Sequence, residues 1–299
     1  MAMPAAAERP CSVETVAAAG PGARAEAADL PPQAGFLLGA ACVVALAAWV
    51  WAALAVWQRG RQGRPIVPPR ACEPVPWSAA DVAVVFAIYL AGTTLAARLL
   101  PPQPALADSL FAGSTASLLA TVAAAGWLHV RGATTRSLGL VARRWWEDVG
   151  LACGALAFVL APLLVLAGLL DQIVPYRHPL VDYLRTHHDM HAIGLVAVAA
   201  VVAAPLAEEF FFRRVLQGWL ERMAPANAWE PVMASSLAFA LAHVGQGLAW
   251  VPLTLLGLVL GRIAQRTGSI VPCILLHALF NAVSVCLVVV QVSAQPAAG

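Results

Sequence analysis

Charge is what this sequence has least of. Only 11% of its 299 residues are Asp, Glu, Lys or Arg, against about a quarter in soluble domains. Lysine is missing altogether, so all 18 basic residues are arginine. With so much alanine beside them, that choice reads as compositional bias rather than function. The net charge of +2 is too small to make nucleic acid a partner. Cysteine is sparse and scattered: Cys11, Cys42, Cys72, Cys153, Cys273 and Cys286 form no CxxC and no paired spacing. That excludes a disulfide framework and a zinc–thiolate site. The N-terminal stretch lacks the basic-then-apolar order of a secretory leader. Residues 1–33, rich in Ala, Pro and Glu, read as a disordered tail, and 293–299 as a second, short one.

Apolar residues fill the rest. They make up 61% of the chain, with a mean hydropathy of +0.77. A helix needs about 20 mostly apolar residues to cross the hydrocarbon. Apolar stretches run over Gly35–Trp57, Asp81–Leu100, Ala105–His129, Asp148–Leu170, Ala192–Leu216, Pro231–Val244, Ala249–Ile263 and Ile270–Val290. The fold class is therefore all-α, a polytopic transmembrane helix bundle of about eight spans. The sixth and seventh stretches are short for a crossing. Proline pairs (Pro31–Pro32, Pro68–Pro69, Pro101–Pro102) fall between stretches, where helix interruption costs little. Residues 34–147 make an N-terminal group of helices and 148–292 a C-terminal group, with no internal repeat.

The arginines give an orientation. One set of connections carries Arg59, Arg61, Arg64 and Arg70, then Arg131, Arg136, Arg143 and Arg144, then Arg213, Arg214 and Arg222, then Arg262 and Arg266. The opposite set holds only Arg98, Arg177 and Arg185. The alternation places the Arg-rich side in the cytoplasm, which for a bacterial protein means the inner (plasma) membrane.

Three polar clusters interrupt the apolar text, all in the last third: Glu208–Glu209–Phe210–Phe211–Phe212–Arg213, Phe239–Ala240–Leu241–Ala242–His243, and His277–Ala278–Leu279–Phe280–Asn281. Ionisable groups at bilayer depth cost several kcal/mol unless paired or hydrated, so they mark function by default. Helical residues four apart share a face. Glu209 can thus pair with Arg213, and His277 points the same way as Asn281. Glu208 sits about 100° around the helix from Glu209, free for another partner. A positioned carboxylate is a candidate general base for activating water. Taken singly, each cluster has a blander explanation: interfacial carboxylates braced by arginine, a core histidine, or interhelical glue. The histidines His178, His187, His188 and His191 read as solvated loop residues on the opposite side.

The three motifs in this order resemble the CAAX-prenyl-protease and bacteriocin-processing family (the CPBP or Abi membrane endopeptidases). Flanking text agrees: Ala204–Pro205–Leu206–Ala207, Ser235–Ser236–Leu237–Ala238 and Arg266–Thr267–Gly268–Ser269–Ile270–Val271–Pro272. The match runs over about 196–284, and residues 1–140 carry none of it. The resemblance implies a membrane endopeptidase acting on membrane-bound protein or peptide substrates near the cytoplasmic face. It makes Glu208 and His243 the water-activating pair and His277 and Asn281 the oxyanion donors. Glu209, Arg213 and Phe239 support them. It leaves the cofactor open between zinc and none. Two histidines and a carboxylate meet the donor count of a catalytic zinc, in which case Glu208, His243 and His277 are the ligands, yet HExxH is absent. The competing class is a non-catalytic membrane protein, either a transporter with a proton relay or a scaffold. Transporters commonly carry broken helices in both halves, whereas the polar residues here sit in one.

Overall fold

The computed structural model describes residues 32–140, 145–175, 179–187 and 189–293. Most of the expected N-terminal tail (residues 1–31), the C-terminal tail from 294, and Arg143, Arg144, Arg177, His178 and His188 lie outside the described residues.

Helices account for nearly all regular structure among those residues, as the long apolar runs require. They are α1 (Pro32–Arg61), α2 (Ala79–Leu99), α3 (Leu106–Val130), α4 (Trp145–Asp171) and the short α5 (Pro179–Thr186). Then come α6 (Met190–Met223), α7 (Glu230–Leu241), α8 (Trp250–Thr267) and α9 (Val271–Ser293). Six of them are long and apolar enough to cross a membrane: α1, over Cys42–Arg61, and α2, α3, α4, α6 and α9. The sixth and seventh apolar stretches fold as α7 and α8. At about 1.5 Å per residue, the 12 residues of α7 reach about 18 Å, short of the roughly 30 Å of hydrocarbon. Arg262, Gln265 and Arg266 lower the hydropathy of α8.

α6 is the organising element, packed against α3, α7, α8 and α9. α7 and α8 form a hairpin whose helices approach closely because α8 carries glycine where they meet. A Cβ on Gly257 would lie 3.0 Å from Ser236 Cβ, and one on Gly261 would lie 3.0 Å from Val232 Cγ1. Small residues at such contacts are how helices without a hydrophobic driving force gain van der Waals packing. Ala152, Val159 and Leu163 of α4 meet Leu256, Leu260 and Ile263 of α8 and Cys273 and Leu276 of α9 in one buried cluster. A second cluster, at the Arg-rich end, gathers Trp77, Val85, Leu128, Phe210 and Val215.

The arginine pattern needs a correction. Arg213 and Arg214 are not in a loop; both are buried inside α6, and Arg222 alone of that set is exposed. Buried guanidinium groups say nothing of sidedness. Their positions point to the interior they serve.

Candidate active site

α6 departs from ordinary winding twice. Val198–Ala203 and Glu209–Leu216 are π-helical: Ala204 N–H bonds to Ala199 O and Gln217 N–H to Phe212 O, each five residues back. Such segments concentrate at functional sites. In that pattern the donor to Ala200 O would be residue 205, and Pro205 has no N–H. Asn281 of α9 supplies the missing donor, its Nδ2 lying 2.7 Å from Ala200 O.

The carboxylates of Glu208 and Glu209 leave α6 in different directions. Glu209 points inward and is fully buried. Its Oε1 accepts a hydrogen bond from His277 Nδ1 at 2.9 Å, and its Oε2 lies 3.3 Å from Arg213 Nε, also fully buried. The pair forms at the i,i+4 spacing read from the sequence. Phe239, at 0% exposure, lies at the centre: the Arg213 guanidinium carbon is 4.7 Å from its ring centroid, the His243 ring 4.9 Å and the His277 ring 5.7 Å. A desolvated cation over an aromatic face gains about 2 kcal/mol, which offsets part of the burial cost of Arg213.

Glu208 faces the other way, toward the two histidines, and keeps 22% of its side chain exposed. Its Oε1 stands 3.9 Å from His243 Nε2 and its Oε2 3.8 Å from His277 Nε2. His243 Nδ1 lies 2.9 Å from Phe239 O. A carbonyl only accepts, so Nδ1 carries a proton and Nε2 is the atom turned toward Glu208. The first turn after α7 makes this possible: the chain leaves helix at Ala242, and His243 folds back over Phe239.

Glu208, Glu209, Arg213, Phe239, His243 and His277 are thus brought together by three helices and one turn. Asn281 is one helical turn beyond His277, bonded to backbone. The possible zinc ligands fit less well. Glu208 splits its two oxygens between two rings, and among the described residues no group of three or more His, Cys, Asp or Glu is disposed to hold a metal ion.

One comparison with known proteins falls on this segment. Residues 191–283, just under a third of the chain, match the family model described as type II CAAX prenyl endopeptidase Rce1-like. That segment is similar to the Rce1-like endopeptidases. No curated protein and no solved structure matches the chain.

Inside the Rce1-like segment, two features escaped sequence reasoning. One is the carbonyl of Ala200, for which Pro205 was the available signal. The other is Gln217, fully buried, whose Nε2 donates to Gly261 O at 2.8 Å and Glu221 Oε1 at 2.7 Å, and whose Oε1 accepts from Ser235 Oγ at 2.9 Å. It locks the foot of α6 to α7 and α8. A glutamine beyond the motif had no pattern to announce it. Phe210, Phe211 and Phe212 are packing residues: Phe210 belongs to the cluster around Trp77, Phe211 lies near Phe86 and Tyr89, and Phe212 meets Phe239 edge-on.

Proposed function

We propose that this chain is an intramembrane endopeptidase in which Glu208 and His243 activate water against a peptide bond. The observation that carries the reading is the facing of Glu208 Oε1 and His243 Nε2 at 3.9 Å. That separation is too long for a direct hydrogen bond and suits one bridging water. Both atoms are acceptors, so a water held there is oriented by its own two protons.

The chemistry then follows from the donors and acceptors in place. The water gives a proton to Glu208 as its oxygen attacks the carbonyl carbon. The oxyanion that forms takes hydrogen bonds from His277 Nε2–H, with the ring doubly protonated against Glu209, and from the second N–H of Asn281, the first being held by Ala200 O. Collapse breaks the C–N bond while Glu208 returns the proton to the leaving amine. Preorganised donors of this kind are each worth about 2.7–4 kcal/mol in related sites. Glu209 and Arg213 hold His277 and Phe239 in place. The substrate is a membrane-associated protein or peptide presented from the Arg-rich face, which we place in the cytoplasm of a bacterial inner membrane. A lipidated peptide ending in a CAAX-type sequence is the first to try.

The test is cleavage profiling of membrane peptides by the purified chain in vesicles, with products read by mass spectrometry. Defined cleavage unaffected by a chelator is the expected result. Cleavage abolished by chelator and restored by zinc would move the mechanism to a metal. No cleavage above that of empty vesicles would favour the transporter or scaffold.

A further inference from the structure

A cavity of about 410 Å³ opens at the Arg-rich end of the bundle, within the roughly 300–1,000 Å³ typical of small-ligand sites. Four parts of the chain wall it: the connection between α1 and α2, the foot of α6, the connection between α6 and α7, and the last turn of α8 with the turn that follows. Four arginines and two glutamates line it, a net charge of +2.

The arginines differ in what they face. Arg70 is neutralised by Asp148 at 2.5 Å and Glu147 at 3.6 Å. Arg214, Arg222 and Arg266 donate to uncharged acceptors instead. Arg214 Nη2 bonds to Glu73 O at 3.1 Å, and its Nε to Ser137 O. Arg222 Nη1 bonds to Pro76 O and Trp77 O, each at 3.0 Å. Arg266 Nη1 bonds to Asn227 Oδ1 at 3.0 Å. The two lining carboxylates are engaged elsewhere: Glu73 Oε1 accepts from Thr134 Oγ1 at 3.0 Å and Glu221 Oε1 from Gln217 Nε2 at 2.7 Å. Backbone carbonyls for Arg214 and Arg222, and the Asn227 side chain for Arg266, therefore hold three guanidinium groups around the cavity.

We propose that this cavity is an anion site that takes a phosphate group. A guanidinium presents a planar fork of donors matched to phosphate oxygens. Basic pockets between helix ends at a membrane face take anionic headgroups in the same way. The ligand chemistry is a phosphate ester or free phosphate, and the two sources separate by experiment. The site is independent of the proteolysis reading, because its readout is binding.

The measurement is native mass spectrometry of the detergent-solubilised full chain with phosphatidylglycerol, with phosphatidylcholine as reference and inorganic phosphate as competitor. Two variants probe the cavity. Arg222→Gln removes one cation. Ala226→Glu adds a carboxylate to the lining at an exposed position and breaks no hydrogen bond, so it remains informative if Arg222→Gln loosens the α1–α2 connection. Arg61→Gln, at the end of α1 and outside the cavity, is the control. Phosphatidylglycerol is expected to be retained over phosphatidylcholine, with Ala226→Glu weakening it by about tenfold, the scale of one added like charge at close range. Arg61→Gln should bind as the parent does. Retention that phosphate does not displace identifies a lipid headgroup; displacement by phosphate, or binding of phosphate alone, identifies the free anion. Equal binding by parent and Ala226→Glu, or no binding of either probe, overturns the proposal.

Discussion

α1 and α6 both read as apolar membrane helices, yet they are built for different work. Only 6% of the α1 span window is buried, and its Val43, Val44, Trp51 and Leu54 stand exposed, as side chains facing lipid should. In the α6 span window the figure is 28%, and the same helix also buries Glu209, Arg213, Arg214 and Gln217. Hydropathy alone hardly separates the two helices. What separates them is where each polar group finds a partner. The bilayer supplies no hydrogen bonds, so the buried polar side chains of α6 have found partners inside the protein: His277 of α9 for Glu209, Gly261 of α8 and Ser235 of α7 for Gln217, loop carbonyls for Arg214, and the Phe239 ring with Glu209 for Arg213. The price is that each recruited contact becomes one the fold cannot easily lose.

That contrast can be broken from the α6 side first. Glu209→Gln should give the largest effect on stability. It leaves Arg213 buried with no counter-charge, and removing one partner of a buried pair costs about 3–5 kcal/mol. It also removes the carboxylate that orients His277. The expected outcome is a clearly earlier melting transition in detergent together with a slower cleavage rate. A variant that melts with the parent would show that Phe239 alone suffices to hold Arg213.

Asn281→Ala should come next. It strands Ala200 O beside Pro205, at about 1–3 kcal/mol for an unsatisfied buried acceptor. The expected result is a lower melting temperature even in protein already inactivated at Glu208, where a purely catalytic asparagine would have no effect. Substitution of Pro205 by Ala in the same background restores a backbone donor, and should recover part of the loss.

Leu54→Ala on α1 should have the smallest effect. Its side chain is about half exposed, and substitutions at such surfaces stay within about 0.5 kcal/mol. A melting shift as large as that of Asn281→Ala would mean that α1 is packed in the working protein, through a partner or a second copy.

Much of this was legible in the sequence, for reasons that differ by residue. The helices were readable because each apolar run is long and carries few charges; α7 and α8 were the least certain because their runs are short, and both fold as helices that fall short of the spanning criteria. The Glu209–Arg213 pair followed from helical spacing, and it survives the π-helical winding because the offset of a single turn still puts both side chains on the inner face. Arg214 was misplaced because a count of arginines cannot tell a loop from a buried guanidinium bonded to Ser137 O and Glu73 O. The role of Phe239 as the surface shared by Arg213, His243 and His277 depends on three helices meeting, which no local pattern encodes.

The proposed chemistry rests most heavily on Glu208, whose two oxygens face the two histidines while its neighbour holds the structure together. The most direct test is single-turnover cleavage of a membrane peptide by Glu208→Gln in vesicles, with the melting temperature measured on the same preparation. Glutamine keeps the size and removes the base, so the rate should fall by at least about 10²-fold while the melting temperature stays close to that of the parent. Cleavage at the parental rate would contradict the assignment of Glu208 as the base. An early melting transition in Glu208→Gln with none in Glu209→Gln would show that the two glutamates hold each other's roles.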